Sequence, residues 1–147
     1  MAMARDEILR LFPPPLAEEV TAGSSEIRIF IPQEYGTRNA ALRLFLSPDA
    51  SRIARMDVLD KRFRTTTNLG PGSTFGALRR GALSLSLTED SDVWTVDSAA
   101  SCMNFQLDVD KATAARLATD ERIEWQHVIP EATPIRAVSL FASGCRL

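Results

Sequence analysis

Between Phe63 and Arg80 the chain reads FRTTTNLGPGSTFGALRR, and this stretch holds the residue types best suited to gripping an anion. Gly70 and Gly72 let backbone amides approach a bound group closely, and Ser73 and Thr74 add hydroxyl donors at an expected helix start. Arg62, Arg64, Arg79 and Arg80 surround the turn with positive charge, joined by Lys61. A guanidinium presents a planar fork of donors that matches carboxylate and phosphate oxygens. The glycine spacing, G-x-G-x-x-x-G, differs from the dinucleotide fingerprint, and no Gly-Lys-Ser/Thr follows as a nucleotide P-loop requires. The chemistry on offer is therefore binding of a small anion. The same residues also make a tight strand-to-helix connection capped by Ser73, which would satisfy them without a ligand.

A second chemistry would need Cys102, Cys145 and His127. A disulfide between the two cysteines would stabilise the fold by about 3–4 kcal/mol through its effect on the unfolded chain. As free thiols they would behave as small buried hydrophobes. Neither belongs to a Cys-x-x-Cys motif, so redox catalysis has no support. His127 is the single histidine, set in EWQHVIP on an expected strand. Paired in space with Cys102 or Cys145 it would activate a nucleophile, which is the alternative function. Asp108 and Asp110 share a strand face, but the glycine of a calcium loop is absent and its twelfth position is Thr119. This reading carries no metal, no cofactor and no catalytic residue.

The elements that must position these residues are legible from periodicity. Residues 4–12 (ARDEILRLF) form a short amphipathic helix stopped by Pro13, Pro14 and Pro15. Leu16 to Val20 add a further helical turn. Strands then alternate: 26–32 with Ile27, Ile29 and Ile31 in register, 41–47 with Leu42, Leu44 and Leu46, and 52–59 as the return of a hairpin. Thr74 to Arg80 form a two-turn helix ended by Gly81. Strands 82–87 and 93–97 flank a polar turn, and 102–109 is another strand. Asp110 caps a helix over 111–118. Strands 123–129 and 135–142 complete the chain. Trp94 and Trp125 fall at core positions of their strands. The fold class is α+β: a mostly antiparallel, twisted sheet of about seven strands with two or three short helices.

Composition bounds the rest. A chain of 147 residues, 45% hydrophobic and 24% charged, fits a single domain over 1–147, with a helical and linker segment at 1–25 and a β-rich core at 26–147. The net charge of −2 is too small for the broad cationic field of non-specific nucleic-acid binding. Charge is nevertheless uneven. Residues 55–80 carry six basic and two acidic groups, whereas 81–147 carry five basic and ten acidic. No apolar run is long enough to span a membrane. The first residues, MAMARDEILRLF, carry charges where a signal peptide needs an apolar core, so an export signal would have to be missing from this chain.

One resemblance adds to this. Arg64-Thr65, then Leu69-Gly70-Pro71-Gly72-Ser73-Thr74, then Leu78, resembles a turn pattern of bacterial exported proteins of unknown function, approximately R-T-x-x-G-I-G-x-G-S-T-x-x-D-L. Met56 to Arg64 and Met103 to Leu107 take the places of its flanking strands, and the likeness spans residues 52–142. Asn68 and Leu69 stand where that pattern has Gly-Ile, and Ala77 stands in place of its acidic residue. The resemblance implies a periplasmic or secreted location and no known activity. The expected function is a non-catalytic binding or interaction module, holding a partner protein or a small anionic ligand on a sheet face or at Arg62–Arg80. The alternatives are the Cys-His enzyme or an anion-stabilising turn, and a cytoplasmic location.

Overall fold

A computed structural model describes residues 5–12, 16–20, 25–30, 39–49, 51–81, 84–90, 93–98, 103–119 and 124–141, Asp90 by its backbone. Cys102 and Cys145 lie outside the described residues, as do Pro13–Pro15, Pro32 and Ile123. The chain divides into two compact units, one of residues 1–60 with 139–147, the other of residues 61–138.

The first unit begins with helix α1 (Arg5–Leu11), whose first turn carries Asp6 and Glu7 and whose last carries Arg10, as the helix dipole favours. Strands β1 (Ala17–Glu19), β2 (Glu26–Ile29), β3 (Leu42–Leu46) and β4 (Ile53–Val58) then run as an antiparallel meander. Alternation puts Ile27, Ile29, Leu44 and Leu46 on one face, where they form a buried cluster with Ala17 and Ile8 of α1. Ile8 is fully buried, worth about 1.5–3 kcal/mol relative to exposure. Arg5 Nε, 2.6 Å from Glu19 Oε1, ties the helix to the edge strand.

Leu16 to Val20 are not helical. Ala17 pairs with Ile29 and is buried, and Phe30 donates to the Leu16 carbonyl at 2.8 Å. The open edge of β2 supplies ladder hydrogen bonds that outweigh a weak local helix preference. Among the described residues this strand brings the count to eight, with four helices rather than two or three. The α+β class and the antiparallel pairing stand.

The turn between β3 and β4 is built on Asp49. Its carboxylate accepts from the hydroxyls of Ser47 and Ser51 and from the Ser51 amide. Those bonds, the Ser47 hydroxyl first, hold its pKa down at about 2. A depressed carboxyl contributes stability that is present above its unfolded value of 3.8 and is lost as pH falls through about 2. In an acid titration followed by NMR, the Asp49 carboxyl signal will move with a midpoint near the lower value. A midpoint near the unfolded value would show that the turn does not hold the carboxylate.

The second unit holds helix α2 (Phe75–Gly81), strands β5 (Leu85–Asp90), β6 (Val93–Ser98) and β7 (Met103–Leu107), then helices α3 (Lys111–Thr119) and α4 (Trp125–Val128). The three strands are antiparallel neighbours in continuous register, Leu87 opposite Val96 and Val96 opposite Phe105. Val96, Phe105 and Leu107 are buried on one face, whereas Ser86, Thr88, Thr95, Asp97, Asn104 and Gln106 fall on the other. Asp110 caps α3 as expected, accepting from the Thr113 amide at 2.8 Å and its hydroxyl at 3.0 Å. Strand β8 (Ile135–Phe141) contributes Ile135–Val138 to the second unit and Ser139–Phe141 to the first.

Residues 125–128 form a helical turn where a strand was expected. Trp125 lies against Phe75, ring centroids 5.9 Å apart, and Val128 is buried while His127 is exposed. Spacing of three between the inward residues is helical, and it overrides the period-two pattern in IEWQHVI. Pro130 then forces Ile129 into extended backbone (φ −75°, ψ 121°) and ends the turn.

Candidate functional site

In the glycine turn, the second unit's own backbone takes the place of a ligand. Gly72 adopts φ 84°, a left-handed conformation that glycine supplies without steric cost. Its amide donates to the Ile135 carbonyl at 2.8 Å, and Ile135 returns a bond to the Ser73 carbonyl at 2.7 Å. A Cβ on Gly70 would stand 2.4 Å from the Phe63 carbonyl oxygen, so the chain crosses itself where only glycine fits. The helix cap is Thr74 rather than Ser73: the Thr74 hydroxyl accepts from the Ala77 amide at 3.3 Å. Ser73 instead accepts from the Gly70 amide at 3.2 Å. The Phe75 and Gly76 amides donate to the Thr133 and Glu131 carbonyls at 2.8 and 2.9 Å. The helix N-terminus is thus closed by the 131–135 segment.

The surrounding arginines are engaged too. Arg64 Nη1 donates to the Phe63 and Pro71 carbonyls at 3.2 and 2.8 Å, buttressing the turn from below. Arg79 donates to the Gln126 carbonyl at 3.2 Å and pairs with Glu131, whose other oxygen lies 3.8 Å from Arg80. Arg62 also has a partner. The structure therefore brings the expected residues together, and gives Gly70, Gly72, Ser73, Thr74, Arg64, Arg79 and Arg80 internal partners or structural duties.

A different cluster stands out in the first unit. Periodicity sends Leu42, Leu44 and Leu46 inward, so Arg43 and Phe45 of β3 must share the opposite face with Arg55 and Asp57 of β4. Register completes the arrangement, with Arg43 opposite Asp57 and Phe45 opposite Arg55. Arg43 Nη2 lies 3.3 Å from Asp57 Oδ2, and Arg55 Nε lies 3.1 Å from Oδ1. Ser139 of β8 donates its hydroxyl to Oδ1 at 2.8 Å. The Arg55 guanidinium carbon sits 3.9 Å from the Phe45 ring centroid, a cation–π contact that holds its plane over the ring. Arg28 faces Arg43 across β2 and β3, and its repulsion is relieved by Glu26, 3.1 Å away.

Exposure separates the roles. The Asp57 side chain is 1% exposed, against 31% for Arg43 and 38% for Arg55. Asp57 is therefore an internal anchor, and the two guanidiniums are the groups that reach solvent. One carboxylate against two guanidiniums leaves one positive charge in excess. Among the described residues neither the buried Nε of Arg43 nor that of Arg55 has an aligned hydrogen-bond acceptor, so Arg55 Nε meets Asp57 as an ion-pair contact. An arriving oxyanion would find donors held in place, with little side-chain entropy left to lose. Sequence reasoning missed this cluster. Alternation carried the signal for four of its members, but Ser139 is 82 residues from Asp57 and only the fold joins them.

His127 is solvent-exposed on α4, its Nδ1 2.9 Å from Glu124 Oε2. No hydrogen bond or ion pair links it to a nucleophile among the described residues. Among those residues no helix is long and apolar enough to cross a membrane.

No family model and no curated protein matches this chain. The fold has been seen before. The crystal structure of the uncharacterized protein yfeY from Escherichia coli resembles it with a TM-score of 0.59, across 95% of this chain and 89% of that one. Sequence identity is 10%, so the likeness is one of fold alone.

Proposed function

We propose that the protein is a non-catalytic binding module that holds an anionic group of its partner on the arginine-bearing sheet face of the first unit. The observation that carries this reading is the buried Asp57 carboxylate fixing two half-exposed guanidiniums, one of them stacked on Phe45. A carboxylate or phosphate oxygen bridging Arg43 and Arg55 would neutralise the excess charge and engage oriented donors. The turn at Gly70–Thr74 serves instead as a structural clasp, its amides donating within the second unit. A periplasmic or secreted location belongs to the same reading and rests on the exported-protein pattern carried by that turn.

Thermal melts with added sulfate or phosphate test the site. At ten times the dissociation constant a bound anion stabilises by about 1.4 kcal/mol, raising Tm by roughly 3–6 °C for a chain of this size. The shift will vanish in Arg43→Gln and Arg55→Gln and persist in Arg79→Ala/Arg80→Ala. Loss of the shift only in the latter variant would move the anion site to the turn. Absence of any shift in the wild-type protein would remove anion binding from the reading.

A further inference from the structure

Strand β5 ends the sheet order, and its outer edge has no strand partner among the described residues. Such an edge is a template for further pairing unless it is blunted by proline, charged side chains, a bulge or shortness. Here it runs six residues, Leu85–Asp90, in continuous register with β6 and without proline, its charges confined to Glu89 and Asp90 at the end. By comparison β1, the edge strand of the first unit's meander, is three residues long.

We propose that this edge pairs with the same edge of a second copy of the chain, antiparallel about a two-fold axis at Leu87. The choice of a second copy rests on the strand's complementarity to itself. Antiparallel neighbours directly opposite one another share a face of the sheet, so self-pairing at Leu87 sets Leu87 against Leu87, Ser86 against Thr88 and Leu85 against Glu89. Leu85 and Leu87 are half-buried on the apolar face that carries Val96 and Phe105. A second leucine at the axis continues that face across the junction. Ser86 and Thr88 are exposed on the polar face, where hydroxyls placed opposite one another form cross-strand hydrogen bonds.

Charge decides the direction. In this register the two Glu89 carboxylates lie four positions apart along the strands, about 13 Å. That exceeds the Debye length of about 8 Å at physiological salt, so they are screened from one another. Parallel in-register pairing would set Glu89 beside Glu89 at about 4.8 Å, where like charges oppose association. A two-fold pairing also closes on itself, with no edge left at the junction for a third copy.

Sedimentation velocity of the full chain across a wide concentration range tests this, read together with hydrogen exchange. The interface is small, so dimers will form toward the high end of the range. The amides of β5 will gain protection in step with the dimer fraction. Leu87→Lys sets two ammonium groups at the axis and will halve the mass seen at high concentration; Leu87 is also half-buried within the protomer, so the Tm will fall while the monomer stays folded. A wild-type protein that is monomeric throughout overturns the proposal. A dimer whose β5 amides gain no protection overturns it too, and that readout needs no variant to fold.

Discussion

Asp57→Ala will lower stability by about 2–3 kcal/mol, less than the loss from a fully buried ion pair because solvent still reaches the two guanidiniums left behind. The carboxylate is fully buried and takes contacts from Arg43, Arg55 and Ser139 at 3.3, 3.1 and 2.8 Å. Deleting it leaves two guanidiniums diagonal to one another across β3 and β4 with no intervening negative charge. It also removes the carboxylate oxygen to which the Ser139 hydroxyl donates. The denaturant midpoint in urea will fall while the slope stays constant, since the native core is otherwise unchanged. Ser139→Ala will cost less, about 1 kcal/mol, because it removes one hydrogen bond and leaves both ion pairs in place. Equal midpoints for Asp57→Ala and the wild type would show that Asp57 is not what anchors the arginines. The same variant will abolish anion protection in the melts, although Asp57 never meets the ligand, because the guanidiniums lose their fixed orientation.

Gly72→Val is the second large effect, and its cause is torsional. At φ 84° a β-branched side chain is a true outlier, and the strain costs on the order of 1–3 kcal/mol. Space is not the obstacle: a Cβ there would meet its nearest neighbour, Lys61 Cβ, at 3.8 Å. Gly72→Asn will therefore be tolerated much better, since asparagine visits the left-handed region readily, as Asn68 does here at φ 61°. Thermal melts of the two variants separate torsion from crowding. If Asn and Val lower Tm alike, the cause lies outside the backbone angle. The strain has consequences beyond the turn, because the Gly72 and Ser73 backbone exchanges hydrogen bonds with Ile135. Loosening it releases the start of β8 in the second unit.

The binding reading and the dimer reading concern different parts of the chain and fail independently. Anion protection depends on Arg43 and Arg55 in the first unit. Self-pairing depends on β5 in the second.

Much of the architecture was legible without coordinates. Strict alternation in EIRIFIP and ALRLFLS marks two half-buried strands, and the serine-aspartate turn after Leu46 marks a hairpin. Asp110 before a run of alanines marks a capped helix, and Gly-Pro-Gly before Ser-Thr marks a strand-to-helix turn that needs glycine. These signals are local, so the chain displays them in any environment. Three features were not local. Within Leu16–Val20, Ala17–Glu19 became a strand because β2 offered unpaired backbone groups, which no propensity of AEE announces. Residues 125–128 became a helical turn because Phe75 supplied a surface for Trp125. The amides of Gly72, Phe75 and Gly76 went to the 131–135 segment and those of Gly70 and Ser73 to each other's residue, so a stretch with the composition of an anion site became a clasp. The charged cluster had the same origin. Alternation alone placed Arg43, Phe45, Arg55 and Asp57 away from the core, but the register of β3 on β4 and the return of β8 with Ser139 decided which of them would touch. Residue types and spacing determined which groups were available for binding. Tertiary pairing determined which were used up inside the protein and which still face solvent, because each buried polar group must first find its partner within the fold.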